Sequence, residues 1–410
     1  MNTARSLFHH QGLHMTRKLA RAGWLPGMIT AVVLTSAPAG AQQQSYYPGR
    51  GEDWEKRTPA QVGMDADQLQ AAIDFAMDPA HDGWGPDLGQ QLREFVANEP
   101  MNEIIGPTKT RGPVTGVILR HGYLVAEFGE PHRVDMTFSV TKSFTSTVAG
   151  LAFDRGLIRL HEPVRKWVTD GYFDSEHNAK ITWDMLLRQT SEWEGELWGK
   201  PTWSDRFSGQ IRQLQEPGTH YEYNDVRVNL LALSLLHVWR RPLPQVLKEY
   251  VMDPIAASTT WRWHGYENSW ITLDGMRMQS VTGGGHWGGG MWISARDQAR
   301  IGLLSLRKGR WEDQQVLSEE WVRLATTPGE HNANYGFMNW TLNTDRRSVP
   351  SAPESSFYHS GAGVNRIWVD PTHDLVVVIR WIDGNYFDEF IRLVLASVDG
   401  AQATTQSGGR

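Results

Sequence analysis

Apolar and polar positions follow two rhythms along this chain, and together they predict its elements. The stretch MDADQLQAAIDFA reads as a helix. An Asp caps it, and Leu69, Ala72, Ile73 and Ala76 repeat on one face. VTGVILR and YLVAEFG are extended runs on either side of His121-Gly122 and predict a β-hairpin. NRIWVD and LVVVIRW, joined by PTHD, predict a second hairpin near the C-terminus, and FDEFIRLVLASV a closing helix. A further helix should begin near Ser139 and stop at Gly156, and another should begin at Ser294 in SARDQARIGLL.

Between these elements the pattern is less regular. QQQSYYPGRGEDWEKRTPAQVG reads as an irregular lead-in, and residues 78–112, rich in Gly, Pro and acids, as mostly loop. Residues 161–330 read as mainly helical with Gly- and Trp-rich loops, and 401–410 as a disordered tail. Strands at both ends of a helical middle predict an α+β fold. It would be one antiparallel sheet flanked by helices and interrupted by a mainly helical insertion, with the sheet domain divided between residues 42–160 and 331–400.

Composition narrows the setting. The 410 residues suffice for two domains or one domain with an insertion, and 40% of them are hydrophobic. Nineteen Trp supply both core and the lining of an aromatic cleft. The formal charge is −6 with no basic run after the leader, which argues against a nucleic-acid partner. Arg17, Lys18 and Arg21, the apolar run Trp24–Leu34 and the small-residue site Ala39-x-Ala41 read as a signal peptide over residues 1–41, with Met15 as an alternative start. Those 41 residues hold four Lys/Arg and no acid, so their removal would leave a charge of −10. The run is too short to span a membrane, which predicts a periplasmic or secreted chain without stable membrane insertion. Cysteine is absent, so disulfides, thiolate nucleophiles and cysteine metal sites are excluded.

Candidate chemistry begins at FSVTKS. Ser139 and Lys142 are spaced to share one helix face. A serine at a helix start sits near the positive end of the helix dipole, and a serine nucleophile needs a base to take its proton. Lysine serves only if burial or nearby positive charge lowers its pKa, and the nearly uncharged SFTSTVAGLAF that follows predicts burial. In PGTHYEYNDVRVNLLAL, Tyr223 stands on a loop before a helix that Asp225 would cap. In FYHSGAGVNRIWVD, Gly361 at a strand entry would admit a substrate close to the backbone, and the N–H of Ala362 would complete an oxyanion hole with that of Ser139. GGGHWG matches Gly-x-Gly-x-x-Gly, but glycines and no helix follow, so a dinucleotide site is rejected. His286 and Trp287 within it are possible cleft residues.

The ordered set Ser-x-x-Lys, Tyr and His-Ser-Gly, with ITWDMLLRQTS and GGGMWISARDQARIGLL, resembles the serine β-lactamase and penicillin-binding-protein superfamily over roughly residues 55–400. The branch it most resembles is that of the class C β-lactamase-related esterases and amidases. The resemblance implies Ser139 as the acylated nucleophile, Lys142 as its base partner, Tyr223 as the general base or acid that also activates the deacylating water, His359-Ser360-Gly361 in the place of Lys-Thr-Gly, and no metal or organic cofactor. Two departures stand out. Asp225 replaces the Asn of Tyr-x-Asn: near Lys142 it would keep that lysine charged, and the charged lysine would lower the pKa of Tyr223 and shift the role of base partly to it, whereas as a helix cap Asp225 would point away. His359 replaces a lysine, which favours a neutral ester or amide over an anionic β-lactam. The expectation is therefore an exported serine hydrolase acting on a small ester or amide. A β-lactamase or D-alanyl-D-alanine peptidase is the alternative chemistry, and a non-catalytic cell-wall ligand-binding protein the alternative class.

Overall fold

The structure is a computed structural model that describes residues 45–51, 53–205 and 212–407. The expected signal peptide lies outside them. Helices α1 (Ala66–Met77) and α2 (Leu88–Phe95) lead into the hairpin β1 (Thr115–Arg120) and β2 (Tyr123–Phe128), the short β3 (Asp135–Met136) and α3 (Val140–Asp154). The middle of the chain holds α4 (Trp183–Leu187), the ribbon β4 (Glu196–Leu197) and β5 (Lys200–Pro201), α5 (Asp225–Trp239) and α6 (Leu243–Leu247). Then come β6 (Arg262–Leu273), β7 (Met276–Val281), β8 (Gly290–Ile293) and α7 (Ala295–Leu306). A second ribbon, β9 (Arg310–Trp311) and β10 (Gln314–Gln315), precedes α8 (Glu319–Ala325), β11 (Trp340–Leu342), β12 (Phe357–Gly361), β13 (Asn365–Asp370), β14 (Leu375–Arg380) and α9 (Phe387–Ser407).

Six strands form an antiparallel sheet in the order β11-β12-β13-β14-β1-β2, so the two predicted hairpins meet where β14 pairs with β1. Both faces of this sheet are covered. Val117, Leu119, Val376 and Val378 pack into the larger core with α3, α5 and α7. Ile118, Trp368, Val377 and Ile379 pack into a second core with α1 and α9. Two-sided burial is why VTGVILR and LVVVIRW read as continuous apolar runs.

Several expectations change. Residues 78–112 contain α2, whose N-cap Asp87 accepts from the Gln90 N–H and whose Leu88 and Leu92 are buried. The segment 161–330 is not mainly helical throughout. Its strands β6, β7 and β8 join β3 in a second sheet of order β3-β8-β6-β7, and α7 packs on β1, β13 and β14 as part of the main sheet layer. Asp274-Gly275, at φ +51° and +74°, makes the β6–β7 turn, a hairpin signal present in the sequence. The closing helix continues as backbone through Ser407, into the segment expected to be tail.

Candidate active site

FSVTKS forms a tight turn into α3. Phe138 adopts φ +49°, an uncommon conformation for a non-glycine residue. Its buried ring is held by Trp84 and Trp381, with centroids 5.3 and 6.5 Å away. Ser139 follows with helical dihedrals at the start of α3. One helical turn on, the Lys142 ammonium is fully buried and lies 2.8 Å from Ser139 Oγ. The Tyr223 hydroxyl donates to the same oxygen at 2.8 Å. The structure thus brings together three residues separated by up to 84 positions.

Asp225 is not the cap of α5. That role belongs to Asn224, whose side chain accepts from the Arg227 N–H at 3.1 Å. Asp225 is the first helical residue, and its carboxylate accepts from Lys142 Nζ at 2.9 and 3.0 Å. Burial pushes the Lys142 pKa down and Asp225 opposes it, and the net direction is downward. Burial pushes the Tyr223 phenol well up, and the Asp225 charge pushes it the same way. The expected lowering of the Tyr223 pKa is therefore reversed, because the sequence does not show how completely the phenol is removed from water.

The strand β12 passes beside this turn. A Cβ on Gly361 would stand 2.0 Å from the Thr137 carbonyl and 3.1 Å from Ser139 N, so the glycine admits the chain's own backbone here. Asn339 closes the junction. Its side-chain amide donates to the Ser139 carbonyl at 3.1 Å and also to the Ser360 carbonyl. Met338 and Asn339 both adopt positive φ, +54° and +53°, a region Asn tolerates better than most residues. Sequence reasoning missed Asn339, and its only signal is an Asn within the Gly-Phe-Met-Asn-Trp turn before β11.

Ser139, Tyr223, Gly361, Ala362 and His286 line one cavity of ≈ 630 Å³, with Trp84, Leu92, Phe95 and Ile382 on its apolar walls. His359 does not line it. Its side chain points to the opposite face of β12 and is fully buried, with its ring 4.9 Å from Trp340 and Nε2 3.4 Å from Ser305 Oγ. Burial pushes its pKa down to about 3. Strand alternation explains the miss, because adjacent residues of His-Ser-Gly point to opposite faces. Trp287 is likewise fully buried outside the cleft and donates to Glu99 at 3.1 Å.

His286 belongs to a buried charge cluster. Its Nε2 lies 2.6 Å from Glu99 and 3.9 Å from Asp205, and its Nδ1 4.0 Å from Asp225. Burial disfavours the charged ring, but Asp205 and Glu99 outweigh it and raise the pKa to about 9. Burial raises Asp205 to about 7, against the pull of His286. Ligand atoms of Glu99, Asp205 and His286 lie within 4.8 Å of one another, the one set among the described residues close enough to share a metal ion, though a charged His286 ring could not be a ligand. Neither acid was singled out in the sequence, because Glu99, 187 positions from His286, and Asp205 on another distant segment carry no local signal.

The Beta-lactamase family model matches residues 117–386. The chain is 25% identical over 331 residues to a 6-aminohexanoate-dimer hydrolase of Paenarthrobacter ureafaciens, covering 72% of this chain and 74% of that protein. Among solved structures, a family VIII carboxylesterase superposes with a TM-score of 0.54 at 15% identity, covering 82% of this chain and 98% of the other. The octameric penicillin-binding protein homologue of Pyrococcus abyssi gives 0.54 at 16% identity, covering 82% and 78%. These likenesses show the fold, while the family model runs through the turn at Ser139, the Tyr223 loop and the Gly361 strand. The chain belongs to the Beta-lactamase family and is a hydrolase of the serine β-lactamase and penicillin-binding-protein-like superfamily.

Proposed function

We propose that the protein cleaves a small ester or amide through an acyl-enzyme on Ser139. The observation that carries this reading is that Ser139 Oγ meets both Lys142 Nζ and the Tyr223 hydroxyl at 2.8 Å on the wall of one cleft. Lys142, its pKa lowered by burial, takes the Ser139 proton as Oγ attacks the carbonyl carbon. The N–H groups of Ser139 and Ala362 receive the developing oxyanion. Tyr223, held protonated, gives its proton to the departing alkoxide or amine and is reprotonated from Lys142. A water then attacks the acyl carbon with the same pair moving the proton in reverse.

The amide branch is supported by the 6-aminohexanoate-dimer hydrolase relative, and the ester branch by the carboxylesterase of the same fold. A β-lactamase or D-alanyl-D-alanine peptidase is the competing chemistry. A non-catalytic ligand-binding role fits poorly with three polar groups meeting on one oxygen. Fluorophosphonate labelling read by intact mass tests the nucleophile: one adduct is expected in the parent and none in Ser139→Ala. Hydrolysis of short-chain esters, small amides, nitrocefin and D-Ala-D-Ala peptides then ranks the chemistries. Export is part of the proposal and rests on the leader pattern. Fractionation should find the chain outside the cytoplasm, beginning after Ala41.

A further inference from the structure

Tyr223 stands on a stretch with neither helix nor strand, between Arg212 and α5, yet its hydroxyl is placed 2.8 Å from Ser139 Oγ. A phenol at the end of its side chain magnifies any rotation of the backbone beneath it. About 1 Å of misplacement at a reacting group can cost on the order of 100-fold in rate, and loops hold such groups less well than helices or strands do. Something outside the loop must therefore fix it.

One buried residue brackets this tyrosine. Gln189 follows α4 and is 1% exposed. Its carbonyl accepts from the Glu222 N–H at 3.0 Å, and its side-chain Oε1 accepts from the Asn224 N–H at 2.8 Å. The residues on both sides of Tyr223 are thus tied to a single partner. The Nε2 of the same amide donates to the Tyr335 hydroxyl at 3.3 Å. The Tyr335 ring in turn meets that of Tyr223 edge-on, with centroids 6.4 Å apart and planes at 89°. Gln189 therefore holds the backbone beside Tyr223 and also the ring against which Tyr223 rests. It does so from φ +58°, a conformation that non-glycine residues rarely adopt and that clusters at functional sites. Gln189 does not line the cleft, so its influence on the reaction passes through its neighbours.

We propose that Gln189 is the positioning residue for Tyr223: it fixes the chain on both sides of the phenol and so holds the hydroxyl on Ser139 Oγ. The inference rests on the reading of Tyr223 as proton donor to the leaving group.

The test uses Gln189→Met, which keeps the volume of the side chain and removes its amide. Ethyl butyrate releases an alkoxide that needs the Tyr223 proton, and p-nitrophenyl butyrate a phenolate that leaves without one. In Gln189→Met, kcat/KM, which covers the steps through acylation, should fall about 10- to 100-fold on the ethyl ester and much less on the activated ester. In a Tyr223→Phe background the same substitution should cost no more than about twofold on the ethyl ester, because no hydroxyl is left to place. A crystal structure of Gln189→Met should show the Tyr223 hydroxyl withdrawn from Ser139 Oγ, and this measurement decides if the parent cleaves neither ester. If Gln189→Met does not fold, Gln189→Asn, which draws the amide back by one methylene, replaces it throughout. Equal losses on both esters, the same loss with and without the Tyr223 hydroxyl, or a Tyr223 hydroxyl still on Ser139 Oγ in the variant overturns the assignment. A Tyr223→Phe enzyme with full activity on the ethyl ester would instead overturn Tyr223 as proton donor, so the two failures are distinct.

Discussion

Both oxygens of the Asp225 carboxylate lie at hydrogen-bond distance from the Lys142 ammonium, at 2.9 and 3.0 Å, while that ammonium also reaches Ser139 Oγ at 2.8 Å. Two opposing effects therefore act on one buried amine. The carboxylate favours its charged form and the absence of water favours its neutral form, and burial is the larger.

Removal of either partner of Ser139 tests this balance. Lys142→Ala and Tyr223→Phe should each lower kcat/KM roughly 100- to 10,000-fold. Because Lys142 must be neutral to accept a proton, parent activity should rise with pH through a midpoint below the ordinary lysine value. Asp225→Asn removes the group that favours the ammonium and should move that midpoint lower. A midpoint that stays fixed in Asp225→Asn would place the titrating base elsewhere.

Ser139→Ala removes one small hydroxyl beside a helix start. Turnover and covalent labelling should vanish, with circular dichroism and the melting transition close to those of the parent. Labelling that persists at another serine would exclude Ser139.

Gly361→Ala places a methyl 2.0 Å from the Thr137 carbonyl. The strand β12 must then move away from the turn at Ser139, at a cost of about 1–3 kcal/mol. Because Ala362 moves with it, kcat should fall further than the loss of stability explains. A variant that melts lower yet keeps full kcat would mean that Ala362 does not hold the oxyanion.

His286 should make stability depend on pH. Its folded pKa of about 9 lies above the ordinary 6.5, so its contribution is fully present below about pH 6.5 and is lost as pH rises through 9. The difference in unfolding free energy between parent and His286→Gln should change by on the order of 3 kcal/mol across that window. Asp205 titrates near 7 under the pull of His286, which His286→Gln removes, so the comparison is made in an Asp205→Asn background as well. Urea melts from pH 6 to 10 measure this, and parallel curves would refute the charged state of His286.

The position of His359 makes a further prediction. His359→Lys would put an ammonium against Trp340 on the covered face of β12. It should destabilise the protein by about 3 kcal/mol or more instead of changing which ester is preferred. His359→Leu should fold and keep the parent's substrate ranking. A shift of that ranking in a stable His359→Lys protein would return His359 to the cleft.

The sequence alone determined the elements whose patterns are local. The hairpin of β1 and β2, that of β13 and β14, the start of α3 at Ser139 and the cap of α7 at Ser294 are all written in consecutive residues, through alternation, capping and glycine stops. The spacing of Ser139 and Lys142 was legible for the same reason, since one helical turn fixes it. What depends on contacts across the chain was decided by the tertiary structure. Whether Asp225 caps a helix or holds Lys142 is a matter of how α5 lies against α3. Which face of β12 meets the cleft depends on strand register, and a single-residue step separates the buried His359 from the cleft-lining Ser360. Asn339, Glu99 and Asp205 reach the site from distant segments, and no periodicity marks them. Burial, which sets the direction of the Lys142, Tyr223 and His286 pKa shifts or the size of the charge needed to reverse it, is a property of the packed molecule and not of any stretch of its sequence.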